Sequence, residues 1–365
     1  MYLTTGTHQQ GQLHFGVGCL RRIFYSGNSL QCLPNFGAKL SRYETLLYFF
    51  VEQMFGLGKI LLLAHLSPGC ENQFRHNGRM TKTNSSSNAA TKGSLLTDLH
   101  IKVPAVTAFF WIIKVLATTV GETLADFLNS SLSAHLKLTD SQGLSYTSLI
   151  VTALTVFVLV AQFRASKYVP TIYWTLVVLI SIAGTLITDN LTDNFGVALQ
   201  TTTVIFSICL AIIFFAWHRV EGTLSIHSIR TPRRETFYWL TILFTFALGT
   251  AAGDLVNEKW ATGYGRGLLL FGVVILVIAI AYRFGLNAVL SFWAVYVLTR
   301  PLGASLGDLL IQPKVVVADG AFPGFGIPKP LVNIVFAVVI VALVSYLTVS
   351  KADQITPEKF DDATK

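Results

Sequence analysis

Residues 109–127 read FFWIIKVLATTVGETLADF, and the spacing Trp-x9-Gly-x4-Asp in this stretch decides the fold. The same spacing occurs four times, each time inside an apolar segment long enough to cross a membrane. Its members are Trp111/Gly121/Asp126, Trp174/Gly184/Asp189, Trp239/Gly249/Asp254 and Trp293/Gly303/Asp308. A fixed spacing that recurs in this way is an internal repeat, so the chain is predicted to contain four related units.

The composition is that of a membrane protein. Hydrophobic residues make up 52% of the chain and charged residues 13%, well below the roughly 25% charged residues usual in soluble domains. Apolar runs of about 17–25 residues predict eight transmembrane helices, because helices satisfy their own backbone polar groups in lipid. The predicted spans are 103–128, 144–163, 169–188, 197–217, 237–256, 267–282, 286–310 and 331–349. The predicted fold class is therefore all-α, a polytopic membrane protein built from four two-helix repeats.

The repeats are predicted to be parallel, because two spans bring the chain back to the side from which it entered the membrane. All four repeats then share an axis along the membrane normal, and their Asp residues lie at one depth. After Met80, thirteen Lys and Arg residues lie on the side of the two termini and five on the opposite side. The positive-inside rule therefore predicts cytoplasmic termini and Asp residues near the outer face.

The repeats also define the predicted domain boundaries. They are 103–167, 168–229, 230–286 and 287–350, with polar tails at 80–102 and 351–365. Residues 1–79 contain neither the repeat nor a clean signal peptide. We interpret them as an over-extended reading frame with the natural start at Met80, and the alternative is a genuine N-terminal extension. The four Cys residues have no CxxC or CxxH spacing, so neither a disulfide framework nor a zinc site is predicted.

Acidic residues inside apolar spans are the main functional lead. Candidate cation- or proton-binding residues are Asp126, Asp189, Asp254, Asp308 and Glu122. Ionisable groups within a membrane are costly and usually mark ion or proton pathways, and carboxylate oxygens suit hard cations such as Mg, Ca and Mn. The alternative is that each Asp is a solvated helix end. However, the C-terminal end of a helix is already partially negative and therefore an unfavourable place for four Asp residues.

The charges of the repeats differ, and this favours a coupled transporter over a symmetric channel. Lys114 and Glu122 occur only in repeat 1, and Arg300-Pro301 occurs only in repeat 4. Repeats 2 and 3 have Thr185 and Thr250 opposite Glu122. Lys114 and Arg300 are therefore predicted to tune the charge of the carboxylate site. The alternative is a static network in which these cations neutralise nearby carboxylates and stabilise the bundle.

The glycines and tryptophans of the repeat are predicted to have packing roles. Small residues four apart on one helix face let membrane helices approach closely. The predicted helix-packing positions are Gly121, Gly184, Gly249, Gly253, Gly303 and Gly307. Trp111, Trp174, Trp239 and Trp293 each begin a span, so they fit either an interfacial belt or packing between repeats.

With these motifs, the chain resembles a bacterial integral membrane family built from four tandem two-helix repeats of unknown function, each with a characteristic Trp. The resemblance covers residues from about 98 to 350, and 109–127 is its most specific stretch. It implies a multi-pass protein of the bacterial inner membrane. It brings no established activity and no catalytic residues.

The function predicted from these residues is transport of a small inorganic cation through the carboxylate-lined site, with exchange for protons as one form of coupling. The alternative is a membrane scaffold or sensor in which the helix hairpins simply pack. No enzymatic activity is expected, because the membrane part has no Ser/His/Asp or HExxH arrangement. The lipid bilayer and a small cation are the expected partners. No cofactor is expected, and the net charge of +8 does not indicate nucleic-acid binding because it can arise from cytoplasmic loops.

Overall fold

The computed structural model describes residues 101–259, 264–313 and 324–354. The long helices in this part of the chain are α1 (Ala108–Leu136), α2 (Asp140–Arg164), α3 (Pro170–Asp189), α4 (Leu199–Glu221), α5 (Pro232–Asp254), α6 (Tyr264–Arg283), α7 (Ala288–Ile311) and α8 (Lys329–Ser350). All eight are long and apolar enough to cross a membrane, and no strand occurs among the described residues. The predicted eight-helix membrane fold is confirmed. The predicted segment 1–79 and nearly all of the tail 80–102 lie outside the described residues.

The first helix differs most from its predicted span of 103–128. It begins only at Ala108, because Thr107 caps the helix there by accepting a hydrogen bond from the Phe110 backbone N–H (3.4 Å). Pro104 disfavours a helical conformation at Val103, where the predicted span begins. It then continues to Leu136 and ends where Lys137 adopts a left-handed conformation (φ 51°). Hydropathy locates only the apolar part of this helix, whereas its polar last turns extend past the apolar run.

The first helices of the four repeats form a closed ring. α1 packs against α3, α3 against α5, α5 against α7, and α7 returns to α1. These inner helices are the most buried. In their apolar stretches 50–72% is buried inside the protein, compared with 11–33% in α2, α4, α6 and α8. The Trp, Gly and Asp positions of the repeat therefore all lie on the inner helices.

The second helix of each repeat packs on the first helix of the following repeat. α2 packs on α3, α4 on α5 and α6 on α7, and α8 closes the cycle by packing on α1. Because the second helix of each repeat packs on the next repeat, the four helix hairpins are interlocked and form a single structure. Such a cyclic order is what parallel repeats about a common axis require.

At the repeat glycines, neighbouring inner helices pack too closely to leave room for a side chain. Each lies against the residue seven positions after the Trp of the next repeat. The pairs are Gly121 with Ser181, Gly184 with Phe246, Gly249 with Arg300, and Gly303 with Thr118. A Cβ atom at Gly184 would lie 2.8 Å from the Phe246 Cβ, inside van der Waals contact. The absence of a side chain at these positions therefore allows the ring to close.

An aromatic collar closes one end of the ring. It consists of Phe110, Trp111, Tyr173, Trp174, Tyr238, Trp239, Phe292 and Trp293, that is, each repeat's Trp and the residue before it. The contacts between repeats, given as ring centroid distances, are Phe110–Trp174 (5.6 Å), Tyr173–Trp239 (5.4 Å), Tyr238–Trp293 (6.3 Å) and Phe292–Trp111 (5.6 Å). Trp174, Trp239 and Trp293 are buried and Trp111 is half-buried. The tryptophans therefore pack between repeats.

Candidate functional site

Arg300, on α7, lies in the interior of the ring and forms hydrogen bonds to the other three inner helices. Its side chain is 0% exposed. Its Nη2 donates to the Glu122 Oε2 at 2.9 Å, to the Thr250 Oγ1 at 2.8 Å and to the Thr185 Oγ1, and its Nη1 donates to the Thr118 carbonyl oxygen at 3.2 Å. We call these four oxygens, of Glu122, Thr185, Thr250 and Thr118, the oxygen cage. One carboxylate, two hydroxyls and one carbonyl thus surround a single guanidinium.

The oxygen cage follows from the repeat itself. Glu122, Thr185 and Thr250 are the same position of three repeats, eleven residues after the Trp. In a closed ring of equivalent helices, equivalent positions converge on the axis. Repeat 4 has Ala304 at this position, so its inner helix contributes no polar side chain there. It contributes the guanidinium of Arg300 instead, one helical turn before Ala304.

Arg300 reaches the axis because its neighbour leaves room for it. The Cβ and Cγ atoms of Arg300 lie where a side chain at Gly249 would be. The Cδ of Pro301 lies 3.0 Å from the position that a Cβ of Gly249 would take. The glycine of repeat 3 and the Arg-Pro pair of repeat 4 are therefore fitted to each other, and a larger residue at 249 would displace the buried cation.

Three carboxylates form a cluster beside the cage, with Glu122 common to both. Oxygens of Glu122, Asp254 and Asp308 all lie within 4.8 Å of one another. Glu122 and Asp308 are buried and Asp254 is half-buried. We call these three residues the carboxylate cluster. Their oxygen atoms are the type of ligand that hard divalent cations prefer.

The other two candidate carboxylates lie at the edge of this cluster. Asp126 forms an ion pair with Lys329 at the start of α8, at 3.0 Å, and both side chains are about one-third exposed. Asp189, the last residue of α3, is half-buried and lies within electrostatic range of Glu122 and Asp126. The structure thus brings all five predicted carboxylates to one end of the ring, and three of them into direct proximity.

Lys114 lies apart from the carboxylates. Its fully buried amine donates to the Thr299 hydroxyl at 3.1 Å and faces two aromatic rings, Phe246 (4.3 Å to the centroid) and Tyr296 (4.1 Å). Cation–π contacts of this kind stabilise a desolvated ammonium. Lys114 forms no ion pair with a described carboxylate, whereas Arg300 pairs with Glu122 directly.

A second buried ion pair, which the sequence did not predict, lies beyond the collar. Lys102 pairs with Glu235 at 2.8 Å, and Glu235 also accepts from the Gln162 amide at 3.1 Å. The signal that could have located it is the isolated Glu235 in the first turn of α5, directly before an apolar span. This pair joins the segment before α1 to α2 and α5.

Two titratable groups in the loops at the same end of the bundle as the Lys102–Glu235 pair also have shifted pKa values. Burial and a hydrogen bond to Asp353 (2.5 Å) raise the pKa of Tyr168 well above its usual range. Burial lowers the pKa of His227, whose Nδ1 has no hydrogen-bond partner among the described residues. Both groups are therefore held neutral near pH 7, and Tyr168 ties the segment after α8 to the loop before α3.

Comparison with known proteins identifies the repeat. The family model described as Repeat of Unknown Function (DUF347) matches residues 109–168, 172–223, 237–285 and 291–353. Each matched stretch begins two residues before the Trp of one repeat. Neither a comparison with curated proteins nor one with solved structures gives a match.

Proposed function

The chain belongs to this family of proteins with a repeat of unknown function, and we propose that it transports a small inorganic cation across the bilayer. The observation that carries the proposal is the carboxylate cluster of Glu122, Asp254 and Asp308, whose oxygens lie within 4.8 Å of one another between membrane-spanning helices. Carboxylates crowded in a low-dielectric interior repel one another unless cations compensate them. A hard cation bound between them would supply that compensation.

The ligand type of the cluster favours a divalent cation. Its three residues all offer carboxylate oxygens, and one of them, Glu122, also pairs with the Arg300 guanidinium. The outer carboxylate Asp126 has its own partner in Lys329. Mg²⁺, Mn²⁺ and Ca²⁺ accept carboxylate oxygens as ligands.

In the proposed route, the cation enters at the end of the ring where the Asp residues of the repeats lie, which we call the Asp end. The aromatic collar fills the opposite end, where the Tyr173 and Tyr238 hydroxyls are 2.5 Å apart, so passage there requires the inner helices to move. We further propose that the protein lies in the bacterial inner membrane with both termini cytoplasmic and the Asp end outward. The excess of Lys and Arg on the terminal side supports this orientation.

The experiment is a flux measurement on the full chain in proteoliposomes that contain a pH-sensitive dye. Mg²⁺, Mn²⁺, Ca²⁺, Na⁺ or K⁺ is added outside, and proton movement and, for Mn²⁺, uptake of the ion itself are recorded. The test variant is Asp254→Asn with Asp308→Asn. The matched control is Asp193→Asn, which removes an exposed carboxylate at the same end of the bundle.

The proposal predicts cation-dependent flux in the wild type and the control, with loss in the double variant while circular dichroism stays unchanged. Flux that persists in the double variant would place the transported ion elsewhere and refute the assigned site. Absence of proton movement for every ion and of Mn²⁺ uptake, with folded protein in the vesicles, would refute proton-coupled transport of these cations and any transport of Mn²⁺, and it would favour the scaffold or sensor alternative.

A further inference from the structure

Arg300 occupies a position that a metal ion could fill. We propose that Arg300 is a tethered cation in the oxygen cage, and that a transported divalent cation binds by competing with it for Glu122. This inference rests on the proposed function and adds to it the residue that controls access to the site. It goes beyond tuning of charge, because Arg300 and the transported ion would exclude each other.

The ligands of Arg300 support this. The oxygen cage presents a carboxylate, two hydroxyls and a backbone carbonyl, supplied by α1, α3 and α5, to a cation that enters from α7. These are the oxygen types that coordinate hard metal ions in proteins. A guanidinium bound in this way is held by the same groups that would hold a metal ion.

Glu122 is shared between the cage and the carboxylate cluster. Its Oε2 accepts from the Arg300 Nη2 at 2.9 Å, and a carboxylate oxygen of Glu122 also lies within 4.8 Å of Asp254 and Asp308. A divalent ion placed between the three carboxylates would repel the adjacent guanidinium and draw Glu122 towards itself. Because both cations lie in a water-poor interior, their repulsion is poorly screened. Glu122 can therefore either pair with Arg300 or bind the metal ion, but not both.

Arg300 is also incompletely held. Its Nε is buried and has no hydrogen-bond partner among the described residues, although its two terminal nitrogens are bound. A buried donor without a partner weakens the bound state relative to a fully satisfied one, so displacement by an entering ion is less costly.

The test measures Mn²⁺ binding to the full chain in detergent, from the paramagnetic resonance signal of free Mn²⁺. Arg300→Gln is compared with the wild type and with Arg283→Gln, which removes an exposed arginine at the end of α6. We expect Arg300→Gln to lower the Kd for Mn²⁺ by on the order of tenfold, within the range of couplings between two ligands of one protein. Arg283→Gln should leave it unchanged, and adding Glu122→Gln to Arg300→Gln should abolish the gain.

A chemical rescue tests the cage without reference to transport. In Arg300→Ala, guanidinium chloride at tens of millimolar should raise the midpoint of thermal unfolding above that in the same concentration of sodium chloride. It should also weaken Mn²⁺ binding by competition. Neither effect should occur in the wild type. If Arg300→Ala does not fold, Arg300→Lys replaces it, and a Kd between those of the wild type and Arg300→Gln is expected.

The outcomes separate this inference from the proposed function. Wild-type flux together with unchanged or weaker Mn²⁺ binding in folded Arg300→Gln or Arg300→Lys would overturn the inference and leave transport standing. Absence of wild-type flux together with a Glu122-dependent gain in Arg300→Gln would support the tethered cation and refute transport. Absence of both the gain and the rescue would overturn the inference whatever the flux.

Discussion

A single methyl group at Gly184 should weaken the closed ring. In Gly184→Ala the new Cβ would lie 2.8 Å from the Phe246 Cβ and 3.0 Å from the backbone nitrogen of Ala247. Carbon atoms pack at about 3.5–4.0 Å, so α3 and α5 must separate by roughly 0.5–1 Å. Overpacking of this kind costs about 1–3 kcal/mol, whereas the helix gains about 1 kcal/mol from Gly→Ala. The expected net loss is about 1 kcal/mol, within a range of about 0–2 kcal/mol.

Gly253 provides a matched control on the neighbouring inner helix. It belongs to the same small-residue pattern, four residues after Gly249, yet a Cβ there would meet its nearest neighbours, the Cα and Cβ of Pro301, at 3.5 Å. That is ordinary van der Waals contact. Gly253→Ala should therefore keep the packing and gain up to about 1 kcal/mol from the better helix former.

The assay is unfolding of the full chain in mixed micelles with increasing dodecyl sulfate, followed by far-UV circular dichroism and by the fluorescence of the collar tryptophans. We expect Gly184→Ala to have a lower free energy of unfolding than Gly253→Ala, by about 2 kcal/mol. A Gly184→Ala protein that gains as much stability as Gly253→Ala would refute the close approach of α3 and α5. Equal losses in both variants would show that the distances do not determine the response.

Three further substitutions test individual charges. Glu122→Gln removes the carboxylate that pairs with the buried Arg300 guanidinium and should cost about 3–5 kcal/mol in the same unfolding assay. Asp126→Asn removes a pair with Lys329 that is about one-third exposed and therefore screened by solvent, so it should cost less than about 1 kcal/mol. Because burial lowers the pKa of His227, its contribution to stability is present above the unfolded pKa of about 6.5 and is lost as the pH falls towards the folded pKa. His227→Gln should accordingly show a smaller drop in melting temperature between pH 7 and pH 5.5 than the wild type, and an equal drop would contradict this.

The helices and the repeat could be predicted from the sequence, because both are local. Apolar length identifies spans, and the spacing of Trp174, Gly184 and Asp189 recurs without reference to any contact. The order of packing could not be predicted in this way. A helix hairpin can pack on itself or on its neighbour with the same hydropathy, and here α2, α4, α6 and α8 all pack on the following repeat.

The partner of Arg300 shows the same limit at the site. From the sequence, Asp308 lies two turns away on the same helix, too far for a direct pair unless the helix kinks, and no partner on another helix can be identified. The structure pairs Arg300 with Glu122, because closure of the ring brings α7 against α1. Thr185 and Thr250 were recognisable as the counterparts of Glu122, but their role as hydrogen-bond acceptors follows only once equivalent positions are known to converge on the axis.

Convergence also explains why the repeats must differ in charge. If all four repeats carried Arg at the position of Arg300, four guanidiniums would meet in a medium that cannot screen them, and four copies of Glu122 would be equally unfavourable. One chain with four diverged repeats can place a single guanidinium and a single carboxylate in the oxygen cage, which a symmetric tetramer of one repeat could not do. On this argument the cage requires one carboxylate but does not require it on a particular repeat.

That argument makes a specific prediction. Arg300 Nη2 donates to Glu122 and Thr185 alike, so exchanging them (Glu122→Thr with Thr185→Glu) moves the carboxylate from repeat 1 to repeat 2 and keeps the charge and total side-chain volume. Glu122→Thr alone should lose about 3–5 kcal/mol of unfolding free energy because the guanidinium is left unpaired, and the exchange should recover most of that loss. The measurement is the free energy of unfolding of both variants in dodecyl sulfate. If the exchanged protein is no more stable than Glu122→Thr alone, the carboxylate of the cage must come from α1. The repeats would then be equivalent in their backbones but not in the side chains that they can contribute to the cage.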